Sequence, residues 1–144
     1  MILIADTGGL LAALNRSDKD HQAAHAALSA AALTVVSPMT VTELHQVATS
    51  RGSRAAADQA VSVIAARVAS GRFSLADTTP AVLRDAVTVR QRYAGLDLDL
   101  VDAINVVLAA EYDTCAILTV DRRDFRAMRP LHGPAAFQLL PDDL

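Results

Sequence analysis

Acidic side chains recur in this sequence where apolar runs give way to helical patterns. Asp6 closes "ILIAD" just before two glycines. Glu43 sits in "TVTELHQV". Asp97, Asp99 and Asp102 crowd "LDLDLVDA", and Asp121 and Asp124 share "LTVDRRDF". A Gly-rich turn after an apolar run is a common phosphate cradle, yet here a carboxylate stands where the phosphate would go. Acids gathered at one place repel one another unless a cation lies among them. Carboxylates alone are hard oxygen donors, a set that suits Mg²⁺ or Mn²⁺. Such an ion polarises a phosphoryl oxygen and turns bound water into a nucleophile, and it would hold the phosphate that the glycines do not.

Other chemistries find fewer residues. Cys115 is the only cysteine, which excludes an intramolecular disulfide and a cysteine-based zinc site, and in the apolar "TCAILTV" it reads as a structural thiol. His21 and His25 have the i, i+4 spacing of a metal pair but no third ligand is evident, so they read as a surface pair. His45 follows Glu43 by two residues and reads as a structural histidine, with contact to a substrate the sharper alternative for it and for Asn105.

The elements that must position the acids follow from hydrophobic periodicity. Apolar runs at 2–5, 33–37, 73–76, 116–120 and 136–140 read as strands, and helical patterns separate them. Ser53 after Gly52, and Thr79 before Pro80, look like helix N-caps, and Gly95 looks like a stop. Short, nearly uninterrupted apolar strands alternating with helices predict an α/β/α sandwich around a mostly parallel sheet of four to five strands. At 144 residues the chain suits a single domain over 1–144, with only the tail "PDDL" looking loose.

In such sheets ligands sit beyond the carboxyl ends of the strands. Asp6 and Asp121 both fall at that rim. The helix carrying Glu43 should open on it, and Asp99 and Asp102 lie three apart on one helix face. Helix capping is the competing account for Asp6, Asp121 and Asp99. Asp102 resists it, because Val101, Ile104, Asn105 and Leu108 place it near a buried side.

Net charge is −3 and the pI is about 5.7, so the whole-molecule field does not favour non-specific nucleic-acid binding. Arginines are clustered, however: Arg122, Arg123, Arg126 and Arg129 fall close together, as a solvated face or as forks for phosphate. No apolar run approaches the roughly 18 residues of a membrane span and no leader is recognisable, which leads to the expectation of a cytoplasmic protein without a membrane partner.

The ordered set "ADTGGLLA", "TVTEL", "DLVDAINVVLAA" and "LTVDRRDF" resembles the four acidic blocks of PIN-domain ribonucleases, and among them the VapC-type toxins of bacterial toxin–antitoxin pairs. The likeness runs over nearly the whole chain. It implies a Mg²⁺- or Mn²⁺-dependent endoribonuclease with Asp6, Glu43 and Asp102 as core metal ligands and Asp121 as the fourth acid. It further implies a supplementary Asp124, a cap or supporting role for Asp99, a supporting Thr7, and Arg122 or Arg123 steering the RNA backbone. An antitoxin that blocks the site and a homodimer also follow from the resemblance. One position departs from the pattern: Gly8 stands where the family usually has serine. A receiver-type phosphoryl acceptor would need a lysine beside the acids, and Lys19, the only one, lies in a polar helical stretch. A haloacid-type phosphatase would need an aspartate at Gly8. The remaining alternative is a degenerate module that binds RNA or a partner without cutting.

Overall fold

A computed structural model describes all residues, 1–144. Five strands form one sheet: β1 (Ile2–Ala5), β2 (Leu33–Val36), β3 (Phe73–Leu75), β4 (Ala116–Leu118) and β5 (Gln138–Leu140). They align in the order β3-β2-β1-β4-β5, and every pairing is parallel. Each expected strand is present, and four are shorter than expected. Ser37, for example, leaves β2 to accept the Met39 N–H and cap the next helix.

Parallel neighbours require crossovers, and helices supply them. α1 (Thr7–Leu14) and α2 (His21–Ala30) join β1 to β2, and α3 (Pro38–Arg51) and α4 (Arg54–Ala69) join β2 to β3. α5 (Pro80–Arg92) and α6 (Leu100–Glu111) lead to β4, and α7 (Arg122–Ala127) leads to β5. The caps fall where the sequence placed them: Ser53 accepts the Ala56 N–H and Thr79 the Val82 N–H, with Pro80 in the first turn of α5. α5 ends before Gly95, with Tyr93 as its C-cap.

Strand side chains alternate between two apolar cores, one on each face of the sheet. Ile4, Val35, Ile117 and Leu139 meet Ala86, Val89, Ile104, Val107 and Phe125 from α5, α6 and α7. Leu3, Val36, Phe73 and Leu118 meet Leu10, Leu28, Leu44 and Ile64 from α1 to α4. The result is the expected three-layer α/β sandwich. Its chain path runs from β1 outward to β2 and β3, then returns to place β4 on the other side of β1. The carboxyl ends of β1 and β4 therefore flank the point where strand order reverses, where open α/β sheets leave a crevice.

The tail is not loose. Asp142 and Asp143 pair with Arg122 and Arg126, and Asp143 also accepts the Leu139 N–H at 2.7 Å, fastening the end of the chain to α7 and β5.

Candidate active site

The residue after β1 is Asp6, 4% exposed, and its backbone N–H donates to the Leu118 carbonyl at 2.9 Å. Thr119, the residue after β4, donates its hydroxyl to Asp6 Oδ2 at 2.9 Å and accepts the Asp121 N–H at 3.0 Å. Asn105 of α6 donates to Asp6 Oδ1 at 3.3 Å. Asp6 and Asp121 both occupy helix N-cap positions, but neither side chain makes a cap hydrogen bond. Capping thus accounts for neither. It does account for Asp99, whose Oδ1 accepts the Asp102 N–H at 2.9 Å at the start of α6.

Asp102 sits in the first turn of α6, 8% exposed. Burial, reinforced by the charges of Asp6, Asp99, Asp121 and Glu43, pushes its carboxyl up to about 8. Burial also pushes Asp6 up to about 6, against the pull of the Thr119 hydroxyl and with the charges of Glu43 and Asp121 adding to it. Asp121 is raised as well, by partial burial first and then by Asp124 and Asp99, while Arg123 opposes the rise. Glu43, half-buried on α3, thus acts electrostatically on both buried aspartates.

Asp6, Glu43, Asp102 and Asp121 therefore form one interacting group, delivered by β1, α3, α6 and β4. Asp102, Asp121 and Asp124 cluster most closely in the sense that one carboxylate oxygen from each lies within 4.8 Å of the other two. Asp6 and Glu43 are outside that trio, and Asp124, read from the sequence as a supplement, is inside it. A carboxylate-only donor set of this kind, one member buried and two open to solvent, fits a divalent cation. Thr7 is buried beside Asp6 with its hydroxyl unpartnered, as is the Thr40 hydroxyl one turn before Glu43 on α3.

Several other candidates are engaged elsewhere. Asn105 is fully buried and cannot reach RNA. His45 Nε2 pairs with Asp58 at 2.7 Å, tying α3 to α4, and His21 Nδ1 meets the Ala12 carbonyl at 2.9 Å. Lys19 lies in the turn between α1 and α2, past the end of α1 remote from Asp6. Arg122 is held by Asp142 and by the Val120 carbonyl, whereas Arg123 is exposed and forms no ion pair. Thr119 and the hydrogen bond from Asn105 to Asp6 were missed in the sequence. The available signal was a polar residue ending an apolar strand and an amide inside the apolar helix "DAINVVLAA".

Gly8 has a steric explanation. A Cβ there would lie 2.7 Å from Val120 Cγ2, so a serine needs that side chain to move. At Gly9 a Cβ would lie 2.4 Å from the Leu118 carbonyl oxygen, so this close approach of α1 to β4 excludes any side chain.

Residues 3–129 match the PIN domain family model, and the chain belongs to the PIN domain family. It is 36% identical over 140 residues to Ribonuclease VapC26 of Mycobacterium tuberculosis, covering 96% of this chain and all of that one. Solved structures share the fold. The sarcin-ricin loop cleaving toxin VapC20 of M. tuberculosis superposes with a TM-score of 0.73 at 18% identity, over 83% of this chain and 89% of its own. VapBC2 of Rickettsia felis, bound to a DNA fragment from its promoter, gives 0.67 at 14% identity over 96% and 97%. A toxin–antitoxin complex of Klebsiella pneumoniae gives 0.61 at 21% identity over 94% and 99%.

Proposed function

We propose that this PIN-domain protein is a Mg²⁺- or Mn²⁺-dependent endoribonuclease and the toxin of a toxin–antitoxin pair, with residues 1–144 acting as one nuclease domain. The observation that carries the reading is the convergence of Asp6, Glu43, Asp102 and Asp121 from four separate elements on one rim, with the Asp102 carboxyl pushed up to about 8. A fold does not maintain such repulsion for packing, and perturbed acids in a crevice are what metal-assisted hydrolysis requires. The relative named a ribonuclease, similar along its full length, points to RNA as the substrate.

Asp6, Glu43 and Asp102 would hold the cation with Asp121 as the fourth acid, and Asp124, which clusters with Asp102 and Asp121, would supplement them. Bound there, the ion supplies a lowered pKa for water and offsets the charge that builds on the phosphate. Asp6 is kept in one orientation by Thr119 and Asn105. Asp102 would give up its proton to serve as a ligand. Asp121 and Asp124, less buried than Asp102, face the solvent from which water and phosphodiester arrive. Arg123, exposed beside Asp121, offers its free guanidinium to a phosphate.

An antitoxin partner is supported by the toxin–antitoxin complexes of the same fold. Leu11, Leu14, Val47, Ala60 and Val63 line an apolar cleft between α1, α3 and α4 that offers a protein partner surface to cover. A second copy of the chain is part of the same reading, because α5 leaves Leu83 and Val87 exposed one turn apart. No helix is long and apolar enough to cross a membrane. An RNA substrate supports a cytoplasmic setting.

The test is cleavage of a defined RNA with single-stranded loops by purified protein, with fragment ends mapped. Cutting should require Mg²⁺ or Mn²⁺, stop in EDTA and vanish in Asp102→Asn. Undiminished cutting in chelator, or by that variant, would overturn the reading.

A further inference from the structure

We infer that Asn105 is a positioning residue for Asp6: its amide, carried on the same helix as Asp102, fixes the carboxylate that a bound cation and substrate meet. The inference rests on the metal-dependent reading above and adds to it a residue that touches neither RNA nor solvent.

Asn105 is 0% exposed and sits among Ile104, Val106, Val107 and Leu108, all buried. An amide in such surroundings is unfavourable unless its polar atoms are paired, and an apolar residue of similar size would fill the space at less cost. Only one of its polar atoms is used. Nδ2 donates to Asp6 Oδ1 at 3.3 Å, and Oδ1 has no partner. The contact with Asp6 is therefore the interaction that the amide makes.

Its placement gives that contact a purpose. Asp6 Oδ2 is held from β4 by the Thr119 hydroxyl, and Oδ1 is held from α6 by Asn105, so both oxygens are gripped from different elements. Without Asn105 the carboxylate would be held only by the Thr119 hydroxyl and the neighbouring Thr7 N–H, with no donor from α6. Asn105 also lies one turn beyond Asp102, at i+3, so α6 contributes one acid directly and sets the orientation of another. A donor without charge is the required type. Aspartate at this position would add a further buried negative group, and leucine would leave Asp6 Oδ1 buried with no donor. Side chains that orient metal-binding carboxylates in this way typically govern affinity by 10–100-fold.

The experiment measures Mn²⁺ binding by calorimetry on Asn105→Ala and Asn105→Gln, each checked for folding by circular dichroism, together with kcat and KM on RNA. Asn105→Ala should bind Mn²⁺ about tenfold more weakly and lose kcat, with the KM for RNA little changed, because the residue is out of reach of the substrate. Asn105→Gln keeps a donor and should recover part of both. A melting temperature lowered by Asn105→Ala, with Mn²⁺ affinity and kcat as in the wild type, would make Asn105 a packing residue and overturn the inference.

A measurement on the wild type covers the case in which the variants do not fold. The Asn105 side-chain amide resonances should shift as Mg²⁺ is added, because their acceptor changes its bonding, and resonances that stay fixed while Mg²⁺ binds would also overturn it. The wild-type arm separates the two readings. Wild-type protein that neither binds Mn²⁺ nor cuts RNA removes the metal-dependent function and the inference with it, whereas a wild type that does both, beside an unchanged Asn105→Ala, removes the inference alone.

Discussion

Arg122 closes its guanidinium on Asp142, twenty residues further along the chain, while the adjacent Arg123 has no acidic partner. Two arginines that look equivalent in "DRRDF" therefore have different work. Arg123→Ala should weaken RNA binding and reduce the slope of log affinity against log salt by about 0.7, the value for one phosphate contact on a single strand. Arg122→Ala should leave that slope unchanged and instead release the tail, seen as faster hydrogen exchange at residues 139–144. Equal salt slopes for Arg123→Ala and the wild type would remove its proposed contact.

Metal-free protein should lose stability as pH rises from about 4 to about 8. Asp6 and Asp102 have folded values of about 6 and about 8 against 3.8 when unfolded, so between those limits the folded state holds protons that the unfolded chain has released. Each group then costs up to about 1.4 kcal/mol per pH unit, Asp6 as far as pH 6 and Asp102 as far as pH 8. Asp102→Asn has no proton to hold, so in EDTA its advantage over the wild type should be absent near pH 4, grow to pH 8 and then level off. Denaturant titrations across that range check the sign; a variant less stable than wild type at pH 8 would make Asp102 a structural acid.

Cation binding should release protons. At pH 7 the metal-free Asp102 is mostly protonated, and it must ionise to serve as a ligand. About one proton should leave per ion bound, and affinity should rise with pH up to about 8. Calorimetry in buffers of different ionisation enthalpy counts the protons, and the Asp102→Asn protein should release markedly fewer.

Gly8→Ser should be destabilising alone, by about 1 kcal/mol, because its Cβ meets the Val120 side chain. Combined with Val120→Ala, whose shorter side chain clears the contact, it should be tolerated better than the sum of the two single changes. Gly9→Ala meets backbone at Leu118 and should cost at least the 1–3 kcal/mol typical of overpacking, with no side chain able to relieve it. Melting curves of the four variants decide this.

Period and order carried most of the fold. Runs such as "ILIA" and "AILTV" can be buried only inside a sheet covered on both faces, and the acids that follow them are then forced to one rim. What the sequence did not disclose is which neighbour each polar group would choose. Asp142 lies in a tail that composition reads as loose, and nothing local announces that Arg122 will capture it. Asp124 looked secondary because spacing in "DRRDF" does not say that the short α7 turns its carboxylate towards Asp102 and Asp121. Asn105 is separated from Asp6 by 99 residues, and their pairing exists only once β1 and α6 are packed together. Strand edges were overextended for a related reason: Ser37 and Thr119 have the composition of strand residues, but their hydroxyls are used for a helix cap and for Asp6.

The position of β4 has a consequence for the protein during its own synthesis. β4 lies on the opposite side of β1 from β2 and β3, and the segment that follows it carries Thr119, Asp121 and Asp124. A nascent chain that lacks that segment has Asp6 without its Thr119 clamp and Asp102 without either partner in its cluster. A domain folds as a unit, so the site is assembled only once this late part of the chain is available. A chain that ends before residue 119 should therefore lack a working site.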